Sequence, residues 1–440
     1  MSGRSRTALA SAAVTMMVLV GCSEPADEQA APDEQAAPDE QAAPDPGAPD
    51  EPEETEEPQR AHASGDCDEA EGEFERTPDA DVDPLSNLDP TDALLPHHLQ
   101  GQLIVDTPWD VVPRSRDGVF LAPGERDGVL SFTAVDAEGS PLWSAQRPLS
   151  CAGFTLAGTE AGQPLAVLTD VDPDPEAGEL ATTTATAYDL HTGEHVWGPV
   201  EVGGPHVGPG LVFAAPAGEP MGAEGPRLVL DADTGAISLS EEDDDVRLLG
   251  EYEGTVLVVE DDDVIALTGA DHEESWRLDA TEHGWDPGDL APAPGTGADE
   301  EVTRLQVAPG SQAAIDLEQG TVLAEDVTDA GVELSTDTRV VLTEEHARGY
   351  DAGGEELWAY LLTEPTTITG IGGVMVYLRS GDSVRVHNVL TGEVAEAYDP
   401  EGQGEILVPA VIDPGGASVV VSSEGYPLVT VVPEDGEPEQ

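Results

Sequence analysis

Two stretches of the chain place carboxylates at alternate positions, "DADVDPLSNLDP" at 79–90 and "DVDPDPEAG" at 170–178. Calcium loops share that alternation, because oxygens from successive odd positions converge on one hard cation. Both stretches lack the glycine at loop position six and the closing glutamate at position twelve, and proline interrupts each. They read as structure, as do the acidic runs "EEDDD" (241–245) and "EDDD" (260–263), which read as solvated turns. Among the ten histidines, His97 and His98 are adjacent, a spacing that rarely lets both reach one metal. His191 and His195 are four apart, but across a turn. No HExxH, paired CxxC, G-x-S-x-G elbow or phosphate-cradling glycine motif is present. "TGIGG" (369–373) reads as a turn between strands. The sequence therefore predicts no catalytic residue, no metal and no other cofactor.

The cysteines have a different chemistry to offer. Arg4 and Arg6 precede a 15-residue apolar run, "TALASAAVTMMVLVG", which ends at Cys22. That is the layout of an export signal over 1–21, too short for a comfortable membrane span. "LVGC" (Leu19 to Cys22) resembles the bacterial lipobox, which implies a diacylglycerol on the Cys22 sulfur and a tether to the outer face of the cell membrane. Two or more acyl chains anchor stably, at roughly 0.8 kcal/mol per buried methylene. With Cys22 taken, Cys67 and Cys151 form an even pair in an oxidising compartment, and a disulfide between them is expected.

The elements that must position any site begin after a spacer. "APDEQA" recurs at 31–36 and 37–42, following "PADEQA" at 25–30. A segment of proline, acids and small residues cannot bury enough apolar surface to offset its ordering entropy. An acidic, Pro/Ala-rich disordered spacer is expected over 22–95, a folded domain over 96–435 and a disordered tail over 436–440. From about residue 100 the texture becomes short β-rich runs cut by Gly, Pro and Asp, without alternating helices.

One unit recurs in those runs: "FTAVDAEGSPLW" (132–143), "TAYDLHTGEHVW" (186–197), "LVLDADTGAISL" (228–239), "VIALTGADHEESW" (264–276), "AAIDLEQGTVLA" (313–324), "ARGYDAGGEELW" (347–358) and "VRVHNVLTGEVAE" (384–396). The position held by Trp143, Trp197, Trp276 and Trp358 recurs at gaps of 54, 42, 37, 48, 34 and 38 residues. Gly139, Gly193, Gly235, Gly320, Gly354 and Gly392 stand four residues before it, and Asp136, Asp189, Asp231, Asp316 and Asp351 seven or eight before it. The aspartate can bond amides just after it, and the glycine allows the positive φ of a tight strand-to-strand turn. The tryptophan, one strand later, is a wedge able to dock on a neighbouring unit. A period of about 42 residues with four strands each is that of propeller blades.

The pattern A-x-D-x-x-T-G-x-x-x-W, matched at Ala187, Asp189, Thr192, Gly193 and Trp197, resembles the tryptophan-docking motif of quinoprotein-type β-propellers. In other copies the tryptophan becomes Leu239, Ala324 or Glu396. The resemblance covers roughly residues 100–433 and implies an all-β propeller of four-stranded blades. Three strands at 405–412, 417–423 and 426–432 lack a fourth, while "QLIV" (102–105) lacks a blade. Joining them predicts eight blades, with seven as the alternative, and hides the edges otherwise left unpaired. The family also implies pyrroloquinoline quinone and calcium, but its adjacent-cysteine pair is absent, lysine is absent, and the tryptophans fall at docking positions.

Charge narrows the partners. Sixteen Lys+Arg, all of them Arg, face 91 Asp+Glu for a net charge of -75, which excludes binding nucleic acid through phosphate neutralisation. Only 14 of the acids lie in 22–60, so 77 lie elsewhere, the composition of a salt-adapted surface and similar to that of high-GC actinobacteria. The reading is a monomeric, lipid-anchored, non-catalytic binding or scaffold module for a protein or cell-wall ligand. The alternatives are a quinone-dependent dehydrogenase and an envelope-assembly factor similar to the outer-membrane assembly propeller lipoprotein.

Overall fold

Runs such as Val129–Asp136, hydrophobic and β-branched in the middle and stopped by an aspartate-glycine turn, pair with their sequence neighbours as antiparallel hairpins. In this computed structural model residues 74–89, 93–171, 182–214, 225–269, 271–295 and 301–433 are described. Their strands form eight blades around a ring. Blade 1 is Arg114–Arg116, Val119–Arg126, Val129–Asp136 and Pro141–Arg147. Blade 2 is Phe154–Gly158, Pro164–Val171, Thr183–Asp189 and His195–Glu201. Blade 3 has Val212–Ala214, Arg227–Leu230 and Ile237–Ser240, its innermost strand reduced to a bridge between His206 and Phe213. Blade 4 is Arg247–Tyr252, Thr255–Glu260, Asp263–Thr268 and Glu273–Asp279. Blade 5 is Ala291–Pro292, Val302–Ala308, Ser311–Asp316 and Thr321–Glu325. Blade 6 is Val327–Glu333, Thr338–Thr343, His346–Tyr350 and Glu356–Leu361. Blade 7 has Thr367–Gly372, Met375–Ser380 and Ser383–Asn388, with only a bridge from His387 to Val394 in the fourth place.

Blade 8 closes the ring as the sequence predicts. Val408–Ile412, Ser418–Val421 and Pro427–Val431 supply three strands, and Leu103–Asp106 pairs antiparallel with the last of them. Asn87–Leu88 adds a fifth, outermost strand. The core is divided among the junctions between neighbouring blades. Phe132 and Trp143 of blade 1 pack with Phe154 and Leu168 of blade 2, and comparable clusters fill the other seven junctions round to Val429 of blade 8 against Phe120 of blade 1. That is how a repeat protein buries surface no single blade could bury alone.

Three expectations change. The spacer, expected to reach 95, gives way to ordered chain earlier: Asp79 bridges to Ser144 at the outer edge of blade 1, and the Gln146 N–H donates to Glu75 O at 2.8 Å. Arg76 pairs with Asp170, which also holds the buried Arg147, and these contacts fix a segment with little apolar surface. The second change concerns "TGIGG", which is inner strand and not a turn, with Thr367–Gly372 lying against blade 8. A side chain at Gly372 would meet Ile412 at 2.6 Å, so the glycines there serve close approach near the axis. The third is local: in blades 3 and 7 one of the four expected strands shortens to a single bridge. The signal over 1–21, Cys22, Cys67, the spacer up to residue 73 and the tail 436–440 lie outside the described residues. Among the described residues no helix is long and apolar enough to cross a membrane.

Candidate binding site

The repeat residues meet at the blade junctions. The Trp143 indole N–H donates to Leu190 O (2.8 Å), Trp197 to Ala232 O (2.7 Å), Trp276 to Leu317 O (2.7 Å) and Trp358 to Val389 O (2.5 Å). Each acceptor follows the aspartate, or Asn388, of the next copy. The next copy's glycine covers the ring: a Cβ on Gly235 would stand 2.5 Å from Trp197, and Gly193, Gly320 and Gly392 sit in the same way on Trp143, Trp276 and Trp358. Behind each tryptophan is a small residue across the strand pair, Ala134, Ala187, Ala266 or Gly349, with a bulge beside it. The aspartates organise turns: Asp136 accepts from Ser140 N–H (2.8 Å), Asp189 from Thr192 N–H (2.9 Å), Asp231 from Thr234 N–H (2.9 Å), Asp316 from Gln319 N–H (2.9 Å) and Asp351 from Glu355 N–H (2.9 Å). Burial raises the Asp189 pKa, but hydrogen bonds from Gln163, Thr192 and His191 outweigh it and hold the carboxyl below its ordinary value. The motif glycines have φ from 65° to 78°, and His272 takes the same left-handed conformation (φ 50°) in the copy lacking glycine. At two junctions where no tryptophan docks among the described residues, Gly139 faces Val105 and Val431 of the closing blade, and Gly354 of blade 6 faces Leu323 of blade 5.

These placements bear on the cofactors that the motif's resemblance implies. A quinone tricarboxylate needs cationic groups beside an open aromatic face. The four docking indoles have their N–H groups on neighbouring carbonyls and their rings under glycines, while Arg114 lies on Phe154 and Arg116 reaches Glu253. The docking residues do not fit that group. Nor does calcium fit the alternating carboxylates: Asp79 accepts from its own Asp81 N–H, and Asn87–Leu88 is strand rather than loop. Asp170 is held by two arginines; 172–178 lie outside the described residues. Glu241 accepts from the Arg227 and Leu248 N–H groups and Asp244 from the Ser240 N–H, and Glu260 and Asp263 pair with Arg277. His97 contacts Gln100 and His98 contacts Tyr377, so the adjacent pair diverges; His195 bonds Gly198 O. Cys151 is buried and disulfide-bonded, its partner lying outside the described residues.

The concave surface lies elsewhere. The docking turns join third and fourth strands; at the opposite ends, where second strands turn into third, three cavities run together over blades 5 to 7. One of about 480 Å³ lies between blades 5 and 6, one of about 680 Å³ under the crossing from blade 6 to blade 7, and one of about 200 Å³ between blade 6 and the third strand of blade 7. Thr328, Thr343 and Glu344 are shared by the first two, and Leu362, Thr363, Glu364 and Thr366 by the last two. The smallest contains Tyr360, Arg385 and His387. Arg385 donates to the Tyr360 hydroxyl (2.7 Å) and stands 5.7 Å over its ring, and the His387 ring lies 4.5 Å from that ring, edge to face. His387 is fully buried, with Nδ1 on Gly392 O (2.9 Å) and, among the described residues, no hydrogen-bond partner for Nε2. Burial is the chief cause that lowers its pKa, the Arg385 charge adding to it against the Gly392 carbonyl.

None of these three residues stands out in the sequence. The available signal is Glu396 in the tryptophan place of blade 7. Without the wedge, the fourth strand leaves after Ala395, whose N–H donates to Val386 O (2.8 Å). Ala397 O instead accepts from His97 N–H, Tyr398 donates to Leu407 O, and Leu95 and Leu99 fill the space beside blade 8.

No family model matches the chain, and no curated protein is similar to it. Solved structures similar to it include BamB from Moraxella catarrhalis, 15% identical over 80% of this chain and 99% of that one, with a TM-score of 0.40. Saccharomyces cerevisiae Sqt1 is 14% identical over 78% and 98%, TM-score 0.40, and the computationally designed Ika8 protein 14% over 84% and 97%, TM-score 0.31. Likeness of this degree says nothing about what the chain binds. The eight blades with their three-plus-one closure identify the chain as a β-propeller.

Proposed function

We propose that this propeller is a non-catalytic binding module, lipid-anchored through Cys22 at the outer face of the cell membrane, which holds a protein or wall polymer in the trough over blades 5 to 7. The observation that supports it most is the continuity of the three cavities, which share walls and together offer an elongated, hydroxyl-rich surface. Concave surfaces with a few convergent polar groups are where ligands bind. The docking residues, in contrast, are engaged in joining blade to blade. A photo-crosslinking residue placed at Thr366 or Glu344 in the full chain, irradiated on intact cells, should capture a discrete partner that the same residue at His191 does not. Equal or absent capture at both faces overturns the trough reading. Cys22→Ser should release the protein from membranes. Stoichiometric uptake of pyrroloquinoline quinone with calcium, together with dye reduction, would replace the binding reading with a dehydrogenase.

A further inference from the structure

In blade 4 the complete fourth strand pairs Asp263, Val264 and Ile265 with Asp279, Leu278 and Arg277. The same places on the third strand of blade 7 are Ser383, Val384 and Arg385. There, among the described residues, no strand lies on the outer side. The register of the hairpin decides which groups are left open. Ser380 opposes Ser383 across a two-residue turn, so residues 383, 385 and 387 exchange hydrogen bonds inward, while 384, 386 and 388 direct N–H and C=O outward. Ala395 N–H already donates to Val386 O and Asn388 N–H to Glu393 O, as that register requires. Val384 is left presenting both backbone groups at an edge, which is a template for another strand.

The side chains beside that edge specify more. Nδ1 of neutral His387 carries the proton because its neighbour is a carbonyl, so Nε2 is a bare acceptor in an enclosed place, which costs free energy unless a donor comes. Arg385 has no carboxylate partner among the described residues, in a chain with 91 acids and 16 arginines. Its guanidinium can only donate. A group that meets both must accept from Arg385 and donate to His387. A hydroxyl or carboxamide does both; a carboxylate cannot donate and an ammonium cannot accept. The cavity of about 200 Å³ between this edge and Tyr360 has room for one such side chain.

We propose that the Ser383–Arg385 edge of blade 7 is a β-augmentation site: an extended segment of a partner polypeptide completes the blade as its missing fourth strand and seats a Ser, Thr, Asn or Gln side chain between Arg385 and His387. Backbone pairing supplies the affinity and the inward side chain the selectivity, as in other strand-addition modes. The inference rests on the binding-module reading and names the partner's chemistry.

The test is selection of a displayed random nine-residue peptide library on the full chain, with two variants carried in parallel. Val384→Pro deletes the outward N–H without touching an inner ladder bond, and His387→Phe keeps a ring against Tyr360 while removing the acceptor. Enriched peptides should share one Ser, Thr, Asn or Gln position and bind Val384→Pro about tenfold or more weaker, while His387→Phe should lose the preference over Leu at that position by about tenfold. Amide exchange at Val384 should slow on binding. No enriched peptide, or binders indifferent to both variants whose circular dichroism is native, overturns the proposal. If on-cell crosslinking from Thr366 succeeds while these binders are indifferent, the strand-addition site fails and the trough reading stands.

Discussion

Tryptophan 197 illustrates what a single residue does in this molecule. Its ring is covered by Gly235, its N–H is on Ala232 O, and Ala187 behind it leaves the space it needs. Trp197→Ala should destabilise by about 3–5 kcal/mol, the range for a buried large aromatic. Chemical denaturation of the variant checks it, and a loss under about 1 kcal/mol would remove the wedge role. A second residue sets a pH response. His206 is buried between Phe213 and Gly210 O, and burial first, then the Arg114 charge, push its pKa down to about 4 against the opposing pull of that carbonyl. Between its unfolded value near 6.5 and about 4 the unfolded chain takes up a proton that the folded one refuses. Stability is therefore full above about pH 6.5 and falls as the pH drops through that window, by on the order of 3 kcal/mol at the lower end. Glu251 and Asp329, raised chiefly by burial, act in the opposite direction. Comparing the chain with His206→Gln in urea from pH 7.5 to 4 isolates the histidine: the variant should lose less stability over that range. Identical slopes count against the assignment.

At the scale of the element, strand position matters more than strand composition. The motif positions of Gly, Asp and Trp were legible because a turn needing positive φ and a wedge needing a partner restrict residue type strongly. So was the closing strand, since "QLIV" had no hairpin partner of its own. Blade 7 was not legible in the same way. Glu396 is visible as a departure from the pattern, but nothing in "GEVAEAYDP" says that the fourth strand stops at Ala395, because that depends on Tyr398 and Leu95 filling the next junction. Likewise His387 reads as an ordinary strand residue until Tyr360, 27 residues earlier, is brought against it. The end of the spacer is not legible because one ion pair and hydrogen bonds to the outer edge of blade 1, not a hydrophobic pattern, hold residues 74–79. That correction moves a truncation boundary. Deleting 23–73 should leave a folded ring, whereas deleting 23–108 removes Asn87–Leu88 and Leu103–Asp106 and exposes Pro427–Val431 as an edge. Light scattering and melting of the two truncations test this; equal behaviour would mean that the ring does not depend on its latch.

For the whole molecule, charge is the dominant global term. The 77 acids outside 22–60 repel one another, and screening relieves that repulsion. The melting temperature should rise between about 0.05 M and about 1 M sodium chloride, where the Debye length falls to about 3 Å. A flat or falling curve would show that the acids are not the limiting factor. The latch has a further consequence, for the order of events in making the protein. Leu103–Asp106 leaves the ribosome near the beginning of the propeller, and its partner Pro427–Val431 only with the last blade. Blades can form one after another as their hairpins appear, since each is local in sequence. The ring cannot close until the last blade has been made, so the early strand waits throughout with its edge open. Any factor that protects the nascent chain has that one short strand to shield.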